Sequence, residues 1–325
     1  MINLDKNSVL RGILTALFIV PLLSCGRDLP ARNPDNLLRL SITLTKDVFF
    51  VREAIWIKAI LTNLGKDSLR VAPLDIYGGF LLLLLTREDG TETEFKWNLA
   101  NYIGHGEDLG PAESLYVMYD LLQGYGKQVE SGEYDPILDV GEYKLVADYR
   151  PGQFDSSLTV PRVKSDILQF KVEPPVGEEA KAIELFEVAH KYKWGKPQIK
   201  NRKQKVREIC QTIVERYPGS VIAPVAQYEI TKMLMPMTIP AYEYWDPDEA
   251  MAECKRMIEN HPDYPETKST VYFLIRCYHE KKAEDEGKEY LRTIMEKHKG
   301  TCLSKTAWEA LDRWQRGEIL LQPKK

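Results

Sequence analysis

Between residues 37 and 172 apolar and polar positions alternate, and beyond residue 177 they stop doing so. Leu38, Leu40, Ile42 and Leu44 alternate with Arg39, Ser41, Thr43 and Thr45. Ile55, Ile57, Ala59 and Leu61 alternate with Trp56, Lys58, Ile60 and Thr62. A period of two sends successive side chains to opposite faces of a strand. Residues 80–86, 115–122, 141–149 and 167–172 read the same way. Turn-forming stretches such as Asn63-Leu64-Gly65-Lys66-Asp67 and Glu88-Asp89-Gly90 separate them. Short strands with turns between them and no helical period predict an antiparallel β-sandwich over 37–173.

Residues 174–177, opening on Pro174-Pro175, form a stiff hinge, and after it the period changes to 3.6. Val206, Ile209, Cys210, Ile213, Val214 and Tyr217 fall on one helix face. Tyr217-Pro218-Gly219-Ser220 ends that helix, and Ser220 can cap the next, which carries Ile222, Val225, Ala226, Ile230 and Met233. The unit recurs. With Tyr217, His261 and His298 aligned as ends of three first helices, the positions seven residues earlier are Cys210, Cys254 and Leu291. Eleven residues earlier stand Val206, Ala250 and Gly287, and sixteen later stand Met233, Cys277 and Trp314. Asp246-Pro247-Asp248-Glu249 has a capping Asp, Pro at the first helical position and Glu at the third. These patterns predict helical hairpins over 178–316 and a tail over 317–325.

The first 24 residues read as an export signal. Lys6 and Arg11 supply positive charge, and residues 12–23 (GILTALFIVPLL) form an apolar run. A membrane-spanning helix needs about 20 apolar residues, so this run is too short. Leu22-Leu23-Ser24-Cys25 follows, then a polar tether over 25–36. LLSC resembles the lipobox of bacterial lipoproteins. The resemblance implies cleavage before Cys25, diacylglycerol on its thiol and acylation of the new amino group. Gly26 is not the Asp that retains some lipoproteins in the inner membrane, so by family analogy the outer membrane is favoured.

Two further resemblances concern the cargo. The stretch LSITLTKDVFFVREAIWIKAILTNLGKDSL and the strand GEYKLVADY resemble immunoglobulin-like domains of bacterial exported proteins. The repeat with Tyr-Pro-Gly-Ser between its helices resembles tetratricopeptide-like hairpins of outer-membrane assembly and cell-wall-associated lipoproteins. Together they imply an α+β multidomain chain: an immunoglobulin-like antiparallel β-sandwich followed by an α-helical, tetratricopeptide-like solenoid.

Composition changes little. The 325 residues are 44% apolar and 28% charged, with a net charge of −4. That balance suits a globular protein and gives no electrostatic footprint for nucleic acid. Lipidation of Cys25 leaves Cys210, Cys254, Cys277 and Cys302, whose spacing is not that of a zinc site. Cys210 and Cys254 occupy equivalent sites on successive hairpins, too far apart for a disulfide. Cys254 and Cys277 are the only pair on partner helices, and their offsets from the inter-helix loop weigh against a bridge.

No catalytic motif and no metal-ligand spacing occurs among His105, His190, His261, His279 and His298, and no cofactor is implied. Two surface features are candidates for partner binding. Lys193, Trp194, Lys196, Lys200, Arg202 and Lys203 form a basic segment in an acidic chain, suited to anionic glycan, lipid headgroups or an acidic partner, or simply a solvated loop and helix start. Tyr242, Tyr244 and Trp245 lie in an inserted loop, as a protein or sugar contact or as a staple onto the next helix. The expected function is a non-enzymatic scaffold or adaptor, held to the membrane by lipid on Cys25 and meeting a protein partner in the cell envelope. The alternatives are an envelope enzyme or proteinase inhibitor with a motif-free site, and a glycan-binding module with exposed aromatics on one sheet face at Trp56 or Trp97.

Overall fold

The computed structural model describes residues 37–76, 79–94, 106–123, 127–128, 134–135, 138–151, 160–194, 201–235 and 246–318. The chain is α+β, with mostly antiparallel sheets first and a helical region after them. The strands are β1 (Leu38–Leu44), β2 (Val48–Phe50), β3 (Trp56–Asn63), β4 (Leu69–Val71), β5 (Leu81–Arg87), β6 (Glu92–Glu94) and β7 (Glu107–Leu109). After them come β8 (Ser114–Asp120), β9 (Lys127–Gln128), β10 (Tyr134–Asp135), β11 (Gly141–Tyr149), β12 (Val163–Lys164) and β13 (Leu168–Glu173).

A three-stranded sheet has the order β1-β3-β8 and a larger one the order β2-β13-β11-β5-β6, with β12 alongside β11. Their inward faces share one apolar core that includes Leu38, Leu40, Ile57, Ala59, Leu61, Leu83, Leu85, Leu145 and Val172. Each fully buried Leu or Ile contributes roughly 1.5–3 kcal/mol. Tyr149 and Tyr119 are buried here too. Their hydroxyls donate to the carbonyls of Ala72 (2.9 Å) and Leu74 (2.5 Å), so neither phenol is left unpaired. Asn63 ties one end of the core. Its amide donates to the carbonyls of Asp67, Leu109 and Gly110, and its Oδ1 accepts from the Gly65 N–H.

Two local expectations are corrected. β2 runs parallel to β13, so the larger sheet is not wholly antiparallel; three residues of strand are too few to show a period. Leu121 and Leu122 do not extend β8. They form a 3₁₀ turn, because Asp120 Oδ1 accepts from the Leu122 N–H and bends the chain.

The helices are α1 (Gly177–Trp194), α2 (Arg202–Arg216), α3 (Ala223–Leu234), α4 (Pro247–Asn260), α5 (Thr267–Glu280), α6 (Glu284–Lys297) and α7 (Cys302–Gln315). Neighbours in sequence pack on one another, most extensively α1 with α2, α4 with α5, α2 with α3 and α6 with α7. Tyr217, His261 and His298 end α2, α4 and α6 in similar backbone conformations, and each N–H returns to the carbonyl four residues back. Asp246 caps α4 by accepting from the N–H groups of Asp248 and Glu249. Ser220 lies just before α3; its Oγ accepts from the Ile222 N–H and donates to Glu179 of α1. No described helix is long and apolar enough to cross a membrane.

Candidate functional site

The outward face of the β1-β3-β8 sheet decides how the two regions meet. Along β3 the outward residues are Trp56, Lys58, Ile60 and Thr62, and opposite them on β8 stand Asp120, Met118, Tyr116 and Ser114. Helices cover the first of these rows. Trp56 stands edge-on to Tyr264, in the turn between α4 and α5, with ring centroids 5.8 Å apart at 88°. Tyr228 of α3 adds a second ring 6.4 Å from Tyr264. Trp56 is 92% buried and its indole N–H has no hydrogen-bond partner among the described residues. The residue proposed for a glycan-stacking face is therefore core-like. The correction has a physical reason: an outward strand position is exposed only if nothing docks on that face, and a period of two cannot show docking. Trp97 lies outside the described residues.

Asp120 sits opposite Trp56. Its Oδ1 accepts from the N–H groups of Ile55 (3.2 Å) and Leu122 (3.1 Å). Desolvation pushes its pKa up to about 7, and the nearby Glu266 adds to the rise. Burial also raises Tyr264, and Asp120 and Glu266 contribute. A second contact lies at the β2–β3 turn. Arg52 Nε donates to Glu187 Oε1 of α1 at 2.7 Å, and Phe50 packs against the apolar cluster of α1–α3. Arg52 has φ 69°, an uncommon backbone state for a residue with a Cβ.

A groove of about 470 Å³ lies across one end of the larger sheet. Strand register sets two polar rows along it. Thr86, Lys144 and Gln169 stand abreast on β5, β11 and β13, and Glu142 stands opposite Lys171 in the next row. Glu88 and Asp47 complete the rim. The groove offers amide, hydroxyl, carboxylate and ammonium groups side by side, an array that bonds polyhydroxylated ligands. Tyr143 and Phe170 also line it, but they stack on each other and are 5% and 3% exposed, so they offer no open ring face. An ordinary solvent-facing strand has the same polar alternation, so nothing in the sequence marks these residues.

The sequence-predicted partner residues do not gather into one site. Lys193 turns to Glu229 of α3 at 2.8 Å, and Lys232 pairs with the same carboxylate. Burial would raise Glu229, but Lys232 and Lys193 outweigh it and hold its pKa below the usual value. Arg202 and Lys203 open α2, and Trp194 ends α1. Lys196, Lys200, Tyr242, Tyr244 and Trp245 lie outside the described residues, as does Cys25. Among the described residues no cluster of three or more His, Cys, Asp or Glu could hold a metal ion.

Cys210, Cys254, Cys277 and Cys302 are free thiols. Cys254 and Cys277 are not bridged and are buried together in one apolar cluster. Measured from the helix ends, Cys254 lies six residues before the close of α4 and Cys277 ten residues into α5. That mismatch is about 6 Å of helix rise, which two side chains can span.

No family model matches the chain and no curated protein matches it. Among solved structures, the sporulation control protein Spo0M of Bacillus subtilis is 14% identical, with a TM-score of 0.25 over 47% of this chain and 55% of its own. A CARDB domain from Pyrococcus furiosus, in complex with di-metal ions, is 16% identical, with a TM-score of 0.24 over 42% of this chain and 94% of its own. A mutant β-glucosidase of Listeria innocua in complex with laminaribiose is 9% identical, with a TM-score of 0.27 over 43% of this chain and 16% of its own. Likenesses this slight carry no inference about function.

Proposed function

We propose that this chain is a lipid-anchored scaffold of the bacterial cell envelope, tethered through Cys25 with the outer membrane favoured. Its β-region is an immunoglobulin-like sandwich and its helices are tetratricopeptide-like hairpins. The scaffold binds a protein partner and performs no chemistry of its own. The observation that carries the reading is the docking of the helices on the sheet through Trp56–Tyr264 and Arg52–Glu187. Such contacts hold a helical array at a set angle to its anchor-proximal strand, as a presenting surface requires. The test is affinity purification from detergent-solubilised membranes, with wild type and with Lys203 and Arg202 changed to Glu. The scaffold reading expects one stoichiometric partner with wild type and less with the variant. Recovery of no partner by either protein contradicts it.

A second reading rests on the groove over β5, β11 and β13. Its mixed polar lining suits a glycan, and titration with cell-wall oligosaccharides tests it. Binding lost on Lys144→Ala supports a glycan-binding module, and no binding excludes it.

A further inference from the structure

We propose that the open end of the β1-β3-β8 sheet, together with the exposed face of α7, rests on an anionic lipid headgroup layer. The proposal depends on the anchored-scaffold reading and says which side of the protein faces the membrane. The helices cover the Trp56–Asp120 row but leave the rows beyond it half-open, with Tyr116, Ser114 and Arg39 exposed. Tyr116 of β8 stands there, 38% exposed. Lys58 Nζ lies 5.1 Å from its ring centroid and Lys305 Nζ of α7 lies 5.0 Å from it. Three residues along α7 from Lys305, on the same exposed face, Trp308 is 55% exposed. Arg39 of β1 is exposed on the same sheet face, in the row of Thr62 and Ser114.

Long basic side chains laid along aromatic rings are chemistry suited to a membrane interface. The ring and the lysine stem sit at the acyl boundary, and the ammonium reaches the phosphate level. Glu309 lies 3.7 Å from Lys305 and offsets part of the charge, leaving Lys58 and Arg39 as the stronger cations.

Two further observations favour lipid over a protein occupant. The first is where the chain enters. Ser41 lies in one cross-strand row with Ile60 and Tyr116, and Leu38 is three residues away along β1. With strands about 4.8 Å apart and 3.3 Å per residue, Leu38 and Tyr116 are roughly 14 Å apart. The tether of residues 25–36 therefore joins the fold beside the patch. Fully extended it spans at most about 40 Å. The second is charge. The whole chain carries −4, so an anionic surface repels its bulk and attracts this end.

The test uses the mature, lipidated full chain in vesicles of phosphatidylcholine with or without phosphatidylglycerol, brominated in the acyl chains. The signal is the Trp308 emission, taken as wild type minus Trp308→Phe. Quenching of that emission in the phosphatidylglycerol vesicles is expected. In the Lys58→Glu/Lys305→Glu variant most of the quenching should disappear while the protein pellets with vesicles as before. Emission from Trp308 that brominated lipid leaves unchanged, in protein that pellets, would overturn the proposal and leave the anchor standing. Protein that stays in the supernatant would overturn the anchor and the proposal together, so the pellet separates the two failures.

Discussion

Trp56 on β3 and Tyr264 in the α4–α5 turn meet edge to face, 5.8 Å between centroids, and join strands to helices that are 208 residues apart in sequence. The two large rings make this an apolar contact of the seam, beside that of Phe50 with the α1–α3 cluster. Trp56→Ala should cost about 3–5 kcal/mol by the usual range for deleting a buried aromatic. It should also loosen the helices from the sheet, so that limited proteolysis cuts within residues 174–177 sooner than in wild type. Trp56→Phe keeps the packing and removes an unpaired N–H, and it should lose far less. Equal protease resistance in Trp56→Ala would contradict the docking role.

Asp120 makes that seam sensitive to pH. Its pKa is raised to about 7 in the folded protein, chiefly by burial. The unfolded value is near 3.9. A raised folded value means that the stabilising contribution is complete below about pH 4 and is lost as pH rises toward 7. Asp120→Asn keeps an oxygen for the Ile55 and Leu122 N–H groups and cannot ionise. The variant should be more stable than wild type at pH 8, on the order of 2–4 kcal/mol, with a flatter stability curve between pH 4 and 7. Urea midpoints measured across that range decide it, and parallel curves would contradict it.

Gly287 is the smallest residue at its repeat position, where Val206 and Ala250 stand in the other hairpins. A Cβ there would lie 2.6 Å from Cη2 of Trp314 and 2.8 Å from Cγ of Tyr278. Alanine gains up to about 1 kcal/mol of helix propensity over glycine. Overpacking costs about 1–3 kcal/mol, so the clash should win. Gly287→Ala should lower the urea midpoint, and in a Trp314→Phe background the loss should shrink without vanishing, because the Tyr278 contact remains. A stabilised single variant would contradict the packing.

The cysteines differ in access. Burial pushes the Cys210 thiol up to about 12, and the hydrogen bond with Cys277, then burial, raises Cys254 further. Cys302 is exposed. Only a thiolate alkylates readily. Native iodoacetamide treatment followed by peptide mass analysis should modify Cys302 and spare Cys210, Cys254 and Cys277 until urea is added. Rapid native labelling of Cys254 would contradict the burial of this pair.

Much of this architecture was legible in the chain. The period of two in Leu38, Leu40 and Ile42 and the helical period in Val206, Cys210 and Ile213 mark residues that are buried in strands and a helix. Contacts made between the regions were not legible. Trp56 occupies a position that alternation assigns to solvent, and only the helical face packed on it reverses that. Asp148 breaks the alternation of β11 for another reason: it is fully buried, and Arg150 and Arg162 bind its carboxylate. Burial alone would raise its pKa, but the two guanidinium partners lower it. The groove residues Lys144 and Gln169 carried no signal, because polar outward positions are the rule on a half-exposed strand.

The central claim is a scaffold carried on a lipidated cysteine, and intact-mass spectrometry of the protein extracted from membranes tests it most directly. The account predicts a chain that begins at Cys25, with mass added for diacylglycerol and an acyl group, and none of that added mass in Cys25→Ala. An unmodified chain, or one that begins at another residue, would contradict it.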